Sequence, residues 1–217
     1  MSLSLAAEMQ LIAELAEVKR IYHALEAALL KTTPAVLLIT SAAAGEGKTR
    51  IAAGLAVIAA RQSGKRVLAV DLNWHVPFLH VCFALDRLFD REALKANGAA
   101  SSLARPSGIQ GLDILTAPKA CEDIDDTQGV VSALGAEILR TEREAYDIVI
   151  ADASSVFPAN RHMVDPVVAS TRADGVALVV LANVTPRQMV MRALTALQAA
   201  GARVAGTIVN QWKNPMA

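Results

Sequence analysis

The sequence predicts a three-layer α/β domain: a mostly parallel β-sheet with helices on both faces, preceded by an N-terminal helix. Short, continuously apolar, β-branched runs recur along the chain, and Ala-rich helical stretches alternate with them. The runs show no wetted face, which is the composition of strands buried on both sides. They are AVLLIT (residues 35–40), RVLAVD (66–71), YDIVIAD (146–152), GVALVVLA (175–182) and RVAGTIVN (203–210), with a weaker LDIL at 112–115. Parallel strands joined by crossover helices carry their ligands at the carboxyl ends of the strands.

Leu11, Leu15, Val18, Tyr22, Leu25 and Leu29 recur at alternating steps of four and three through a segment free of Gly and Pro, so residues 6–30 read as one long helix. Residues 1–33 form an N-terminal element for oligomerisation or partner contact, and residues 34–217 form the domain proper. Thr32, Thr33 and Pro34 end the helix. The later helices are expected at 49–63, closed by Gly64, at 130–143, and at 185–200, closed by Gly201. Residues 97–111, rich in Ala, Ser, Gly and Pro, read as a loop, as do the acidic residues 119–128. The stretch HVPFLHVCFAL (75–85) reads as core, and its His75, His80 and Cys82 match no zinc spacing.

At 217 residues and 53% hydrophobic, with 12 Gly and 8 Pro, the chain is neither disordered nor collagen-like. The 21 basic and 21 acidic side chains cancel, and no basic cluster is present, which argues against a nucleic-acid partner. No apolar run approaches the roughly 20 residues of a membrane span. The start, MSLSLAAEMQ, lacks a basic region and a cleavage pattern. Cys82 and Cys121 form no CxxC pair. A cytoplasmic protein is expected, with no direct membrane insertion.

Directly after the first strand comes SAAAGEGKTR (41–50), and then a helix. A Gly-rich turn at a helix N-terminus aims backbone N–H groups and the positive end of the helix dipole at one spot, as a polyphosphate requires. The strict GxxxxGK[ST] pattern wants Gly where this chain has Ala42, but the flanking strand and helix supply the context. Gly45, Glu46, Gly47, Lys48 and Thr49 are assigned to the β and γ phosphates of ATP or ADP, through backbone N–H groups and the Lys48 charge. Asp71 and Asp152 close two strands at the same edge, and carboxylates are the hard ligands that nucleotide-bound Mg²⁺ takes. Thr49 and Asp152 are assigned to Mg²⁺, and Asp71 to orienting or deprotonating the attacking nucleophile.

The string VLLITSAAAGEGKTRIAAGLAVIAARQSGKRVLAVDLNWHVPFLH resembles the cytoplasmic ATPase domain of bacterial tyrosine kinases of the capsular and exopolysaccharide machinery, a branch of the MinD/ParA-like P-loop ATPases. Matching positions are Thr40, Ser41 and Gly45 to Thr49, then Asp71 and Pro77, then Tyr146, Asp147 and Asp152. The resemblance continues through ADGVALVVLANVTPRQ to Asn210. It implies the P-loop NTPase fold, MgATP binding, and Asn210 facing the adenine. Glu17, Arg20 and His23 echo the family's ExxRxxR oligomerisation motif, which implies a homo-oligomer. The implied partner is a membrane-embedded polysaccharide co-polymerase or its cytoplasmic segment, which would hold the protein at the inner membrane.

Departures from the family pattern are Asn73 for a second carboxylate, Ser154 and Ser155 for a Pro pair, and His23 for the last Arg of the helix motif. The family's C-terminal tyrosine cluster has no counterpart: the sequence holds Tyr22 and Tyr146, both read as packing residues, and ends in QWKNPMA. The expected function is an ATPase or kinase-like regulator of polysaccharide polymerisation and export, without C-terminal tyrosine autophosphorylation. The alternatives are a MinD/ParA-type positioning ATPase and a nucleotide-binding regulator that does not hydrolyse, which Asn73 keeps open. Against the positioning ATPase stand Ala43, where its signature lysine belongs, and the seven residues after Asn210, too few for an amphipathic membrane helix.

Overall fold

In the computed structural model, which describes residues 16–30, 33–96, 100–119, 128–158 and 163–211, the apolar runs all become strands. These are β1 (Ala35–Ser41), β2 (Val67–Asp71), β4 (Leu112–Leu115), β5 (Ile148–Ser155), β6 (Gly175–Leu181) and β7 (Val204–Asn210), with a short β3 (Arg105–Pro106) before β4. Helices are α1 (Ala16–Leu25), α2 (Lys48–Ser63), α3 (Leu79–Cys82), α4 (Arg91–Ala96), α5 (Gln128–Ala145), α6 (Pro166–Ser170) and α7 (Arg187–Ala199). The sheet order is β3-β4-β2-β5-β1-β6-β7, and every pairing is parallel except β3 with β4.

Alternate residues of each central strand enter different cores, as the period of two in an extended chain requires. Leu37, Ile39, Val67, Ala69, Ile148 and Ile150 pack with α1, α2 and α3 on one face. Val36, Leu38, Leu68, Val70, Val149 and Ala151 pack with residues of α5, α6 and α7 on the other. All seven residues of β1 are buried, so the strand that leads into the phosphate loop is clamped along its whole length.

Three expectations need correction. The segment read as a loop at 97–111 contains a 3₁₀ turn (Ala100–Leu103) and β3, which borrows its pairing from β4 rather than from any pattern of its own. The stretch at 75–85 is only half core: α3 is a single turn that buries Leu79 and Cys82, while Val76 is 62% exposed and Phe78 and Val81 are each 37% exposed. From Val18 onward the apolar stripe of the N-terminal helix is not free for assembly. Val18, Tyr22, Leu25 and Leu29 are buried in this chain's own core, and Glu17, Arg20 and His23 occupy the exposed side. Leu11 and Leu15, the start of the stripe, lie outside the described residues, as do 120–127 of the acidic segment.

α1 runs into a π-helical turn (Glu26–Leu30), and the Arg203 guanidinium donates to the Ala28 carbonyl there, 3.1 Å away. Leu29 seats against the first residue of β6. A Cβ built on Gly175 would stand 2.2 Å from Leu29 Cδ1, so the strand opens on glycine because the helix occupies the space of a side chain. Gly175→Val should therefore destabilise the protein by about 1–3 kcal/mol through overpacking. In that background Leu29→Ala should recover part of the loss; urea denaturation that shows simple addition of the two costs would contradict this contact.

Candidate functional site

β1 ends at Ser41, and the chain passes through residues 42–47 to begin α2 at Lys48. Gly45 and Gly47 have φ of +81° and +84°, the left-handed region that favours glycine. Gly47 has a second reason to lack a side chain: a Cβ there would lie 2.4 Å from Asn210 Nδ2. Ala42, where the strict motif asks for Gly, has no positive φ, and its methyl is buried in the core beneath the loop, so alanine suffices. No side chain caps α2, whose N-cap is Gly47. Its first-turn amides therefore have no side-chain acceptor at the cap, and they carry the positive end of the helix dipole.

The parallel register sets the acids around this loop. Asp71 at the end of β2 pairs with Asp152 in β5, and Asp152 is also the register partner of Ile39 in β1. Asp152 is fully buried, and neither carboxylate oxygen makes a hydrogen bond of acceptable geometry. Burial lifts its carboxyl to about 6, against the opposing pull of the Lys48 charge and the Thr49 hydroxyl. Asp71 is also buried. Its carboxylate accepts the backbone N–H groups of Asn73 (3.0 Å) and Leu79 (3.1 Å). Burial first, and then the Asp152 charge, raise it well above the usual carboxylate range.

Two departures from the family pattern have structural work here. Asn73 Nδ2 donates to the Val76 carbonyl at 2.7 Å, a bond no carboxylate can donate, and Trp74 Nε1 donates to the Asp71 carbonyl at 2.8 Å. Ser154 Oγ donates to the Val164 carbonyl at 2.7 Å, while the Thr40 hydroxyl donates to the Ser154 carbonyl at 2.7 Å. Both hold the strand ends that frame the loop.

Sequence reasoning used only the backbone of Glu46 and passed over Thr185 beyond its place in a helical stretch. In the fold the Glu46 side chain is 2% exposed; its Oε2 accepts the Ala43 N–H at 2.9 Å, and its Oε1 accepts the Thr185 hydroxyl. Asn210 Nδ2 donates to the Glu46 carbonyl at 2.9 Å, which places the amide assigned to adenine directly against the phosphate loop. The available signal was an acid inside an anion-binding loop, which needs a partner to be tolerated.

Lys48, Thr49, Asp71 and Asp152 thus gather at one sheet edge beside an uncapped helix start. Two buried carboxylate oxygens without hydrogen bonds suit a hard divalent cation, and the glycine cradle suits a phosphate. The residues fit a magnesium nucleotide.

The family model described as CobQ/CobB/MinD/ParA nucleotide binding domain matches residues 37–217. The chain belongs to this family. Within it, the chain is 30% identical over 179 residues to the tyrosine-protein kinase YwqD of Bacillus subtilis (strain 168), covering 80% of this chain and 71% of YwqD. It is 24% identical over 196 residues to the tyrosine-protein kinase Wzc of Salmonella typhimurium, covering 89% of this chain but only 26% of that longer protein. The solved kinase domain of the Escherichia coli tyrosine kinase ETK matches with a TM-score of 0.75 and 23% identity, over 89% of this chain and 73% of that one. The septum site-determining protein MinD of Pyrococcus horikoshii, complexed with Mg-ADP, matches with a TM-score of 0.67 and 20% identity, over 84% of this chain and 72% of that one. The protein is a nucleotide-binding domain of the bacterial tyrosine-kinase and MinD-like type.

In the CobQ/CobB/MinD/ParA protein described here, the buried acids set a pH dependence. Asp152 binds its proton more tightly folded (about 6) than at its ordinary value of 3.8, so the folded state holds the extra proton between these values. Stability falls as pH rises through that window, and the cost is complete above about pH 6. Asp71 acts in the same direction. Asp152→Asn should stabilise the nucleotide-free protein at pH 8 by on the order of 1–3 kcal/mol and flatten the profile between pH 4 and 6. Thermal unfolding across pH checks this; a variant less stable than wild type at pH 8 would contradict it.

Proposed function

We propose that this domain binds MgATP at the carboxyl edge of its sheet and acts as an ATPase or kinase-like regulator of capsular or exopolysaccharide polymerisation and export. The supporting observation is the convergence of Lys48, Thr49 and the buried Asp152 carboxylate at the uncapped start of α2. Kinship with the tyrosine-protein kinase YwqD supports the kinase-like reading, the resemblance of residues 36–80 to the ATPase domains of the polysaccharide machinery supports the choice of process, and the Mg-ADP complex of MinD, a protein of the same fold, supports the choice of ligand. When bound, Mg²⁺ supplies positive charge and Lewis acidity to the phosphates.

The chain's own residues divide the remaining work. Loop amides from Gly45 to Thr49 hold the phosphates in place, and Lys48 neutralises their charge. Thr49 and Asp152 provide oxygen ligands for the cation, the carboxylate through water or directly. Asp71, raised by burial, takes up a proton more readily than an exposed carboxylate, which suits it to accept one from an attacking hydroxyl or water. Asn210 presents its amide to the adenine edge.

Neither tyrosine in the sequence is a ready phosphate acceptor. Tyr22 is buried, donates to Glu26 at 3.3 Å, and is pushed up to about 12 by burial and by the Glu26 charge. Tyr146 donates to Asp113 at 3.0 Å and is raised by burial and by that bond. The acceptors that stay open for this domain are water and a tyrosine on a partner, with nucleotide binding without transfer as the third case. No helix among the described residues is long and apolar enough to cross a membrane; contact with the membrane is assigned to a co-polymerase or its cytoplasmic segment.

Purified protein should bind MgATP and MgADP, and Lys48→Met should weaken binding at least ~10-fold, since a charged phosphate contact is lost. Incubation with labelled ATP should release phosphate without labelling Tyr22 or Tyr146. Equal affinities for wild type and variant would sink the site, and stoichiometric phosphotyrosine on either residue would sink the acceptor assignment.

Self-assembly is proposed through the exposed side of α1. Glu17, Arg20 and His23 all lie on that side, and an exposed intrahelical pair contributes only ~0.3 kcal/mol to folding. Arg20→Glu should reduce oligomer size while leaving nucleotide affinity unchanged. Light scattering that reports a wild-type monomer at tens of micromolar (roughly a hundredfold above a sub-micromolar Kd), with and without MgATP, would refute this.

A further inference from the structure

A carboxylate inside an anion-binding loop works against the ligand unless it has another use. Glu46 is such a group, buried to 2% and set between Gly45 and Gly47. Its oxygens are divided: Oε2 takes the Ala43 N–H from within the loop, and Oε1 takes the Thr185 hydroxyl from the turn between β6 and α7, 139 residues away. That turn is itself well tied. The Leu181 N–H donates to Thr185 Oγ1 at 3.2 Å, the Thr185 N–H donates to the Leu181 carbonyl at 3.0 Å, and the Ala182 N–H donates to the Asn210 carbonyl at 2.9 Å. Asn210 in turn donates to the Glu46 carbonyl. The ends of β6 and β7 therefore form one platform that grips Glu46 twice, by its side chain and by its backbone.

We propose that Thr185 is a positioning residue for the phosphate loop: through Glu46 it holds the loop in its phosphate-ready shape before the nucleotide arrives, an inference that rests on nucleotide binding at this loop. Two left-handed glycines leave residues 45–47 costly to order, because glycine has the most conformational freedom to lose. An external brace moves that ordering cost from the binding step to folding, and preorganisation of this kind raises affinity without adding a ligand contact. Glu46 is retained as an acid because one carboxylate supplies acceptors to both Ala43 and Thr185.

The test measures MgADP affinity of the full chain by calorimetric titration well below the unfolding temperature, for Thr185→Val, Thr185→Ser, Glu46→Ala and the double variant Glu46→Ala/Thr185→Val. Thr195→Val on α7, whose hydroxyl only back-bonds to the Met191 carbonyl of the same helix, serves as control. Thr185→Val should weaken MgADP by about 10-fold, the scale of one lost hydrogen bond to a charged group. Thr185→Ser should return to within about 2-fold of wild type, the hydroxyl being restored. Because both single changes cut the same brace, the double variant should bind no worse than Glu46→Ala alone. Wild-type affinity in Thr185→Val, even with a lowered melting temperature, would overturn the proposal, as would losses that multiply in the double variant. Should Thr185→Val fail to fold, amide hydrogen exchange of the nucleotide-free wild type decides: the Ala43, Ala182 and Thr185 amides should already be protected, and free exchange at Ala43 overturns the brace. Absence of MgADP binding in wild type would overturn the nucleotide assignment itself, a result distinct from either of these.

Discussion

Asp152 places a carboxylate inside a fully buried strand, three residues short of its end, with no well-formed hydrogen bond to satisfy it, and the site is organised around that group. An acid buried there costs stability that its neighbours offset only in part. Lys48 and Thr49 pull toward the charged form, while burial pulls harder the other way. The arrangement is a standing electrostatic debt that a cation can settle. Positions of this kind, unfavourable in isolation and surrounded by well-packed structure, are characteristic of ligand sites.

The well-packed surroundings are what make the arrangement tolerable. β1 is buried along its whole length, and its pairings to β5 and β6 fix where the phosphate loop leaves the sheet. The register of β2 with β5 sets Asp71 beside Asp152. Asp71 then ties back the chain that follows it, through the amides of Asn73 and Leu79, so the segment leading to α3 hangs from the site. Asn73 completes that turn with its amide hydrogen, which explains why an amide in place of a carboxylate leaves the local geometry intact.

The N-terminal helix shows how one periodic pattern serves two faces. Its apolar stripe closes the core over α2 and against Gly175 at the start of β6, while its charged residues face outward. A narrow stripe at a spacing of 3.5 residues signals a helix packed on a partner, but it does not say whether that partner is another chain or the rest of the same one. Burial of Tyr22 in the same contact removes that tyrosine from the surface.

The sequence by itself determined the elements and the chemistry near them in the chain. Continuous apolar runs marked the six main strands: five of them are covered on both faces and have no polar side to display, whereas β7, expected to be buried likewise, lies at the sheet edge and buries only Ile208. GEGKT between a strand and a helix marked the phosphate loop, and Asp71 and Asp152 announced themselves as acids closing apolar runs. All of these are local signals, read within a few residues of one another. The tertiary structure alone decided which distant groups meet. Thr185 reaches Glu46 across 139 positions and Asn210 across 164, and these contacts follow from β6 and β7 lying in line beyond β1, an order no local pattern encodes. The short elements escaped for a related reason: β3 exists because β4 offers it an edge, and α3 because Asp71 anchors its first residue. A two- to four-residue element carries too little periodicity to be seen without the neighbours that stabilise it.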